Sequence, residues 1–166
     1  LDQALQAFVL GGAARAQRGK AGAPCTMLVH TTQRIADQRP TRDLIERRYR
    51  ELKDEWRYDR NSGLRAAFKH LWDEDFKSTT DGIESSRVVE FDEIEPHISI
   101  FMEAVVVREI NSDRGDVLDY DLEPTLKAIA IGGNKLARGL TLEGLLVSYF
   151  ARQSPQYDTL LQMARW

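Results

Sequence analysis

Apolar residues recur along the chain at two spacings, which predict helices alternating with strands. Steps of three and four residues predict a long amphipathic helix from Ile45 to Trp56. Shorter helices are predicted at 64–72 and 94–101, and one at 1–9 that the glycine pair Gly11-Gly12 stops. A final helix begins with a serine cap and a proline in its first turn, typical of helix starts.

Four apolar runs lack the helical period and predict buried strands, at 26–30, 104–107, 126–131 and 145–150. Continuous apolar runs are typical of strands covered on both faces, as in a parallel sheet. Because strands and helices alternate, we predict an α/β fold with a mostly parallel central sheet, right-handed crossovers and helices on both faces. The helical patterns within 33–103 predict a helical insertion on one side of the sheet.

Composition fits one domain. The chain has 166 residues, 42% of them hydrophobic, enough for a core without disulfides or structural metal. Its 23 basic and 26 acidic residues give a formal charge of −3, so nucleic-acid contact must come from a local patch. One cysteine excludes an internal disulfide, and no apolar run is long enough to span a membrane. We therefore expect a cytoplasmic protein with no membrane partner.

A glycine turn directly after the third predicted strand carries the most chemistry. Gly132 and Gly133 let the backbone approach a ligand, and the following helix N-terminus favours an anion. Lys135 and Arg138 add positive charge. Ligands bind in open α/β sheets at the loops that follow the strands' carboxyl ends. By pattern alone, a phosphate site and a turn that merely needs small residues fit equally well.

The helix at 39–60 is a second candidate, with arginines and lysine interleaved among slightly fewer carboxylates. Spacings of three and four residues favour intrahelical ion pairs on a solvated face. Contact of Arg47, Arg48 and Arg50 with a nucleic-acid backbone stays open as the alternative.

A metal-dependent nuclease would need clustered carboxylates and a lysine beside the scissile phosphate. Glu51 and Lys53 have the Glu-x-Lys form with Asp37 or Asp43 upstream, but all lie in a charged helical stretch with no strand to display them. Glu123 and Lys127 are four residues apart and have no convincing third partner. A solvated helix face explains them more simply. Because the three histidines are scattered along the chain, we predict no metal site.

The last third of the chain resembles known motifs. A strand, the sequence Gly132-Gly-Asn-Lys-Leu-Ala-Arg-Gly139, another strand and a helix with Gln162 and Arg165 resemble motifs V and VI of superfamily-2 helicases. More closely, the whole chain resembles the Z1 domain, a family found on superfamily-2 ATPase proteins of prokaryotes and labelled as an endonuclease. The segments that carry this resemblance are 27–32, 105–112, 129–144, 148–150 and 158–166. Two departures, Ala137 for serine and Ala164 for glycine, remove no charge.

The resemblance implies that residues 1–166 form a single RecA-like domain of the helicase C-terminal kind. It implies the second motor domain of a helicase-like, nucleic-acid-dependent ATPase in prokaryotic DNA restriction or defence. Arg165 matches the first arginine of motif VI, so the resemblance makes it the arginine finger, which stabilises transition-state charge. The other matched residues are implied to contact phosphates of nucleotide or nucleic acid: Gly133, Asn134, Lys135, Arg138, Gln162, Thr31 and Thr32.

The implied cofactors are ATP and Mg²⁺, held mainly by another domain, because the chain contains no Walker A loop. We expect that ATPase domain to precede Leu1 in the same polypeptide, the second motif VI arginine to follow Trp166, and this segment alone to bind no cofactor tightly. Implied partners are DNA and methylase or other ATPase proteins of a defence system. An endonuclease, as the family label states, and a non-catalytic DNA- or protein-binding module are the alternatives.

Overall fold

The computed structural model describes residues 1–30, 35–82, 87–110, 118–132 and 142–150. The chain divides into two compact units. The first unit combines Leu1–Gly22 with Arg48–Ala104, and the second combines Ala23–Arg47 with Val105–Trp166. The described helices are α1 Asp2–Arg15, α2 Ile35–Tyr58, α3 Leu64–Leu71, α4 Ser78–Asp81 and α5 Phe91–Ala104, with π-helical segments at Ala16–Lys20 and Trp72–Lys77.

The second unit contains a four-stranded sheet in which all pairs are parallel. Its strands are β1 Cys25–His30, β2 Val105–Ile110, β3 Lys127–Gly132 and β4 Leu145–Phe150, in the order β2-β3-β1-β4. The central strands β1 and β3 are buried along their whole length, whereas the edge strands are mostly half-buried. Burial on both faces explains the continuous apolar sequences. The predicted α/β class and parallel sheet are confirmed.

Polar side chains at the amino-terminal ends of β1 and β3 form hydrogen bonds with nearby groups. The Thr26 hydroxyl donates to the carbonyl of Glu143 at 2.9 Å and lies 3.0 Å from the Tyr120 hydroxyl. Burial raises the pKa of Tyr120 against the opposing effect of the Thr26 hydrogen bond. Lys127 is only 6% exposed, and its Nζ donates to two backbone carbonyls, those of Ala23 at 2.5 Å and Thr125 at 3.0 Å. These contacts satisfy polar groups that burial would otherwise penalise.

In the first unit, α1 and α5 approach each other closely. The rings of Phe8 and Phe101 meet edge to face, with centroids 5.3 Å apart. A Cβ on Gly12 would lie 2.0 Å from the Phe101 ring, so the absence of a side chain permits this contact. The prediction that α1 ends at Gly11-Gly12 is wrong, because α1 continues to Arg15. Burial of the glycine against the phenylalanine ring outweighs its low helix propensity.

Hydrogen bonds from buried aromatic side chains join α2 and α5. The Tyr49 hydroxyl donates to the carbonyl of Met102 at 3.1 Å, and Trp56 Nε1 donates to Ser99 Oγ at 3.0 Å. Burial raises the pKa of Tyr49 far above its ordinary value, so its hydroxyl stays protonated and available as a donor. The apolar face predicted for 45–56 is therefore the packed face of α2.

An exposed ion-pair cluster joins the start of α1 to α2. Arg48 contacts both carboxylate oxygens of Asp2 at 2.8 Å and Glu51 at 2.9 Å. The hydrogen bond from Arg48 lowers the pKa of Asp2, although the carboxylate is half exposed. We expect Asp2→Asn to lower the free energy of unfolding at pH 7 by less than about 1 kcal/mol, because solvent screens surface pairs.

The pH dependence of this loss follows from the lowered pKa. The stabilisation is present above the ordinary aspartate pKa of 3.8 and disappears as pH falls through the lower pKa of the folded state. Urea titrations at pH 7 and below pH 3.8 would measure the difference, with Asp43→Asn as a control that removes an exposed α2 carboxylate. A loss that persists unchanged at the lower pH would contradict this assignment.

Candidate phosphate-binding edge of the sheet

The carboxyl ends of all four strands lie at the same edge of the sheet, because every strand pair is parallel. The last residues of the strands are register partners in one row. His30 pairs with Gly132 on one side and with Phe150 on the other, and Gly132 also pairs with Ile110. Each segment that leaves this edge therefore begins beside a neighbouring strand end.

The strand order creates a switch point between β1 and β3. From β1 the chain proceeds to β2, which lies beyond β3, whereas from β3 it proceeds to β4, which lies beyond β1. The strand order therefore sends these two connections away from the switch point in opposite directions along the sheet. The crevice outside the carboxyl ends at such a point is the usual ligand site of an open α/β sheet. His30 and Gly132 are the two strand ends beside it.

All the site residues predicted from the sequence lie outside the described residues, so their assignments stay predictions. Two of these predicted residues directly follow the strand ends at the switch point in sequence. Thr31 follows His30, and Gly133 follows Gly132. The remaining predicted residues, also outside the described residues, are Thr32, Asn134, Lys135, Arg138, Gln162 and Arg165.

Sequence reasoning missed one described contact at this edge, between His30 and Phe150. The imidazole is 1% exposed, and its ring stacks against that of Phe150 with centroids 5.7 Å apart and planes 26° apart. In sequence, His30 reads as an isolated histidine and Phe150 as one more apolar strand residue. Only the parallel register places the two rings side by side.

The carboxylate and lysine pairs considered for a nuclease have structural roles, and the solvated-helix interpretation is wrong for Lys127, which is buried in β3. Glu51 pairs with Arg48 at 2.9 Å, and Lys53 pairs with Glu103 at 3.1 Å. In the other pair, Glu123 lies 2.8 Å from Arg108. The Lys127 ammonium donates to the backbone carbonyls of Ala23 and Thr125, at the amino-terminal ends of the strands. Among the described residues, no group of three or more His, Cys, Asp and Glu side chains is arranged to hold a metal ion.

The basic residues of α2 are extensively paired. Arg42 lies 3.5 Å from Glu46 within the helix, and Arg57 lies 2.6 Å from Glu103 on α5. Arg48, one of the three arginines considered for a nucleic-acid backbone, is held by the two carboxylates of its ion-pair cluster. These ion pairs support the interpretation of α2 as a solvated helix whose charges stabilise the protein's own structure.

The described strands form a parallel α/β sheet with a switch point between β1 and β3. The family model of the Z1 domain matches residues 1–166, and the chain belongs to that family. No curated protein and no solved structure matches the chain. Within the described part of the chain, none of the helices has the length and apolar character needed to cross a membrane.

Proposed function

We propose that this Z1 domain is the second RecA-like domain of a helicase-like, DNA-dependent ATPase that acts in prokaryotic restriction or defence. The observation that carries the proposal is the switch point between β1 and β3. The strand ends that flank it lead directly into Thr31 and into the Gly133–Arg138 segment. Parallel sheets bind anionic ligands at this place because backbone N–H groups and helix N-termini point towards it.

Each residue set has a distinct role in this proposal. Gly133 and Asn134 offer backbone N–H groups, and Lys135 and Arg138 offer positive charge to phosphate oxygens. Arg165 stabilises the charge that develops on the transferred phosphoryl group. ATP and Mg²⁺ are held mainly by an ATPase domain of the same polypeptide, and DNA is the polymer whose phosphates contact this edge.

The charge of the chain fits contacts of this local kind. With a formal charge of −3, the domain has no excess of positive charge to attract DNA non-specifically. Three of the described α2 arginines, Arg42, Arg48 and Arg57, pair with carboxylates of the protein itself. Two cations in a short segment after β3 supply the local attraction that the whole surface lacks.

Removing the two cations of this segment tests the proposal. We expect Lys135→Ala combined with Arg138→Ala to weaken DNA binding by the full-length protein and to reduce the slope of log affinity against log salt by about 2. Arg47→Ala combined with Arg50→Ala removes the same charge from α2 and serves as the matched control. Fluorescence anisotropy over a salt series measures both slopes. A reduced slope only in the α2 variant would place the DNA contact on that helix instead.

The endonuclease of the family label is the second candidate, supported by membership of the Z1 family. The contacts of the described Glu51, Lys53, Glu123 and Lys127 argue against a metal-dependent nuclease centre built from them. We expect the full-length protein to leave supercoiled plasmid intact with Mg²⁺ and without ATP, as followed on agarose gels. Cutting that disappears when carboxylates of this domain are changed to amides would establish the nuclease instead.

A further inference from the structure

Positive charge near the start of the chain is not balanced by acidic residues. Between Asp2 and Asp37 the sequence contains no aspartate or glutamate. The basic residues of this stretch are Arg15, Arg18, Lys20 and Arg34. The first three fall within residues 15–20, which we call the basic segment. It concentrates positive charge in a chain whose formal charge is −3.

Cations elsewhere in the first unit are mostly paired with carboxylates of the protein itself. The paired side chains are Arg48, Lys53, Arg57, Arg65, Lys69, Lys77 and Arg87. Among the described residues, by contrast, no ion pair or hydrogen bond involves the side chain of Arg15, Arg18 or Lys20. The charge of the basic segment is therefore available to an anion from outside the domain.

A packed helix carries the basic segment. The π-helical residues Ala16–Lys20 continue α1, and α5 packs against both. Arg18 and Lys20 are exposed, whereas Arg15 is half-buried with its Nε enclosed and without a hydrogen-bond partner. An enclosed guanidinium nitrogen without a partner costs free energy, so folding alone does not explain an arginine at this position.

The composition of the basic segment favours a nucleic-acid backbone over a protein partner. Its other residues are Ala16, Gln17 and Gly19, and none of the large apolar side chains exposed among the described residues lies in it. Protein interfaces depend on an apolar core with large anchoring side chains. A phosphate backbone needs cations, an amide donor such as Gln17, and room for close approach.

We propose that the basic segment binds the phosphate backbone of DNA without regard to sequence, through Arg15, Arg18 and Lys20. This inference rests on the proposed function, whose polymer is DNA, and adds a contact on the first unit to the contact after β3. The three cations sit within six residues, so they engage phosphates that are close together along the duplex.

Arg18→Gln combined with Lys20→Gln tests this surface in the full-length protein. Glutamine keeps a long polar side chain with good helix propensity, and the half-buried Arg15 stays in place. We expect the slope of log affinity against log salt to fall by about 2, measured by anisotropy with a fluorescein-labelled duplex of arbitrary sequence. Arg60→Gln combined with Lys69→Gln removes two exposed cations from the same unit, and we expect it to keep the wild-type slope.

A purely structural role at a helix end predicts a different result. Cations near a helix C-terminus interact favourably with the helix dipole, so their loss would lower stability and leave DNA affinity unchanged. A wild-type salt slope in the Arg18 and Lys20 variant, with a lower urea midpoint, therefore overturns the proposal. An equal fall in slope in the control variant overturns it too. If the double variant does not fold, Arg18→Gln alone replaces it, with an expected fall of about 1.

Two further outcomes separate this inference from the proposed function. DNA binding that depends on the basic segment, in a protein without DNA-stimulated ATPase, overturns the proposed function and leaves the inference standing. DNA-stimulated ATPase with an unchanged salt slope in the double variant does the reverse. Binding of polyglutamate but not of the duplex, lost in the double variant, would overturn the proposal in favour of an acidic protein partner.

Discussion

Gly144→Ala is expected to destabilise the sheet by more than about 4 kcal/mol, well outside the range of ordinary substitutions. Gly144 has φ +63°, a conformation that costs a residue with a side chain roughly 1–2 kcal/mol. A Cβ at this position would also lie 1.9 Å from the carbonyl oxygen of Pro24. Because that oxygen belongs to the backbone directly before β1, no rotamer change can relieve the overlap.

Gly144 also contributes to strand pairing. Its carbonyl accepts the hydrogen bond from the Thr26 N–H at 2.9 Å, at the point where β1 and β4 begin to pair. Moving the Gly144 backbone to relieve the overlap would therefore disturb this bond as well. We expect loss of native-state protection in β1 and β4 by hydrogen exchange, together with a lower unfolding midpoint.

Two other glycines provide matched controls for this prediction. Gly19 has φ +78° but no atoms within 4 Å of its Cβ position, so Gly19→Ala isolates the backbone strain. Gly63 has an ordinary negative φ and an equally open Cβ position, so Gly63→Ala introduces neither backbone strain nor steric overlap. Urea denaturation of the three variants gives the two contributions by difference. A Gly144→Ala variant no less stable than Gly19→Ala would show that the overlap with Pro24 is unimportant.

Arg165→Ala is expected to produce the largest functional loss under the proposed function, a fall of about 10³-fold or more in the DNA-stimulated kcat of ATP hydrolysis by the full-length protein. In that proposal the Arg165 guanidinium supplies positive charge in the transition state, so its removal lowers kcat while ATP and DNA affinity change little. Arg165→Lys keeps one charge but loses the planar pair of donors, and we expect only partial activity from it.

The control for Arg165 is Arg60→Ala, which removes an exposed arginine after α2. Circular dichroism and DNA anisotropy confirm that each variant folds and binds DNA, and a coupled phosphate assay measures turnover. Turnover of Arg165→Ala equal to that of the wild-type protein would exclude the finger role. A parallel loss of DNA affinity would reassign the residue to the nucleic-acid contact.

The strands and their parallel pairing could be predicted from the sequence, because burial on both faces leaves an apolar run without alternation. The strand order could not be predicted, since a run such as 126–131 reports its own burial and says nothing about its neighbours. The same limit hid the continuation of α1 through Gly12, where contact with Phe101 outweighs local propensity. Local sequence patterns indicate whether a residue is buried or exposed. They do not indicate which distant residue it contacts in the folded chain.

The candidate site shows the same division. Gly132 and Gly133 could be identified from the sequence because a glycine pair after a strand is a local pattern. The contact of His30 with Phe150 depends on the strand register, which local patterns do not encode. Gly144 belongs to the sequence motif shared with the family. The structure supplies a reason for it that the motif lacks, namely its positive φ and its close approach to Pro24.

The strand order has a consequence for synthesis of the chain. The central strand β1 is the first strand to be synthesised, yet its neighbours in the sheet are β3 and β4. Cys25 in β1 therefore cannot pair with Lys127 until β3 has been synthesised. Such non-local pairing is slow, because closing the long loop costs conformational entropy before the strand contacts that offset it can form. Throughout translation of the intervening helices, an apolar strand with two unpaired edges is exposed to other chains. We therefore expect a chain synthesised only as far as residue 126 to be prone to aggregation.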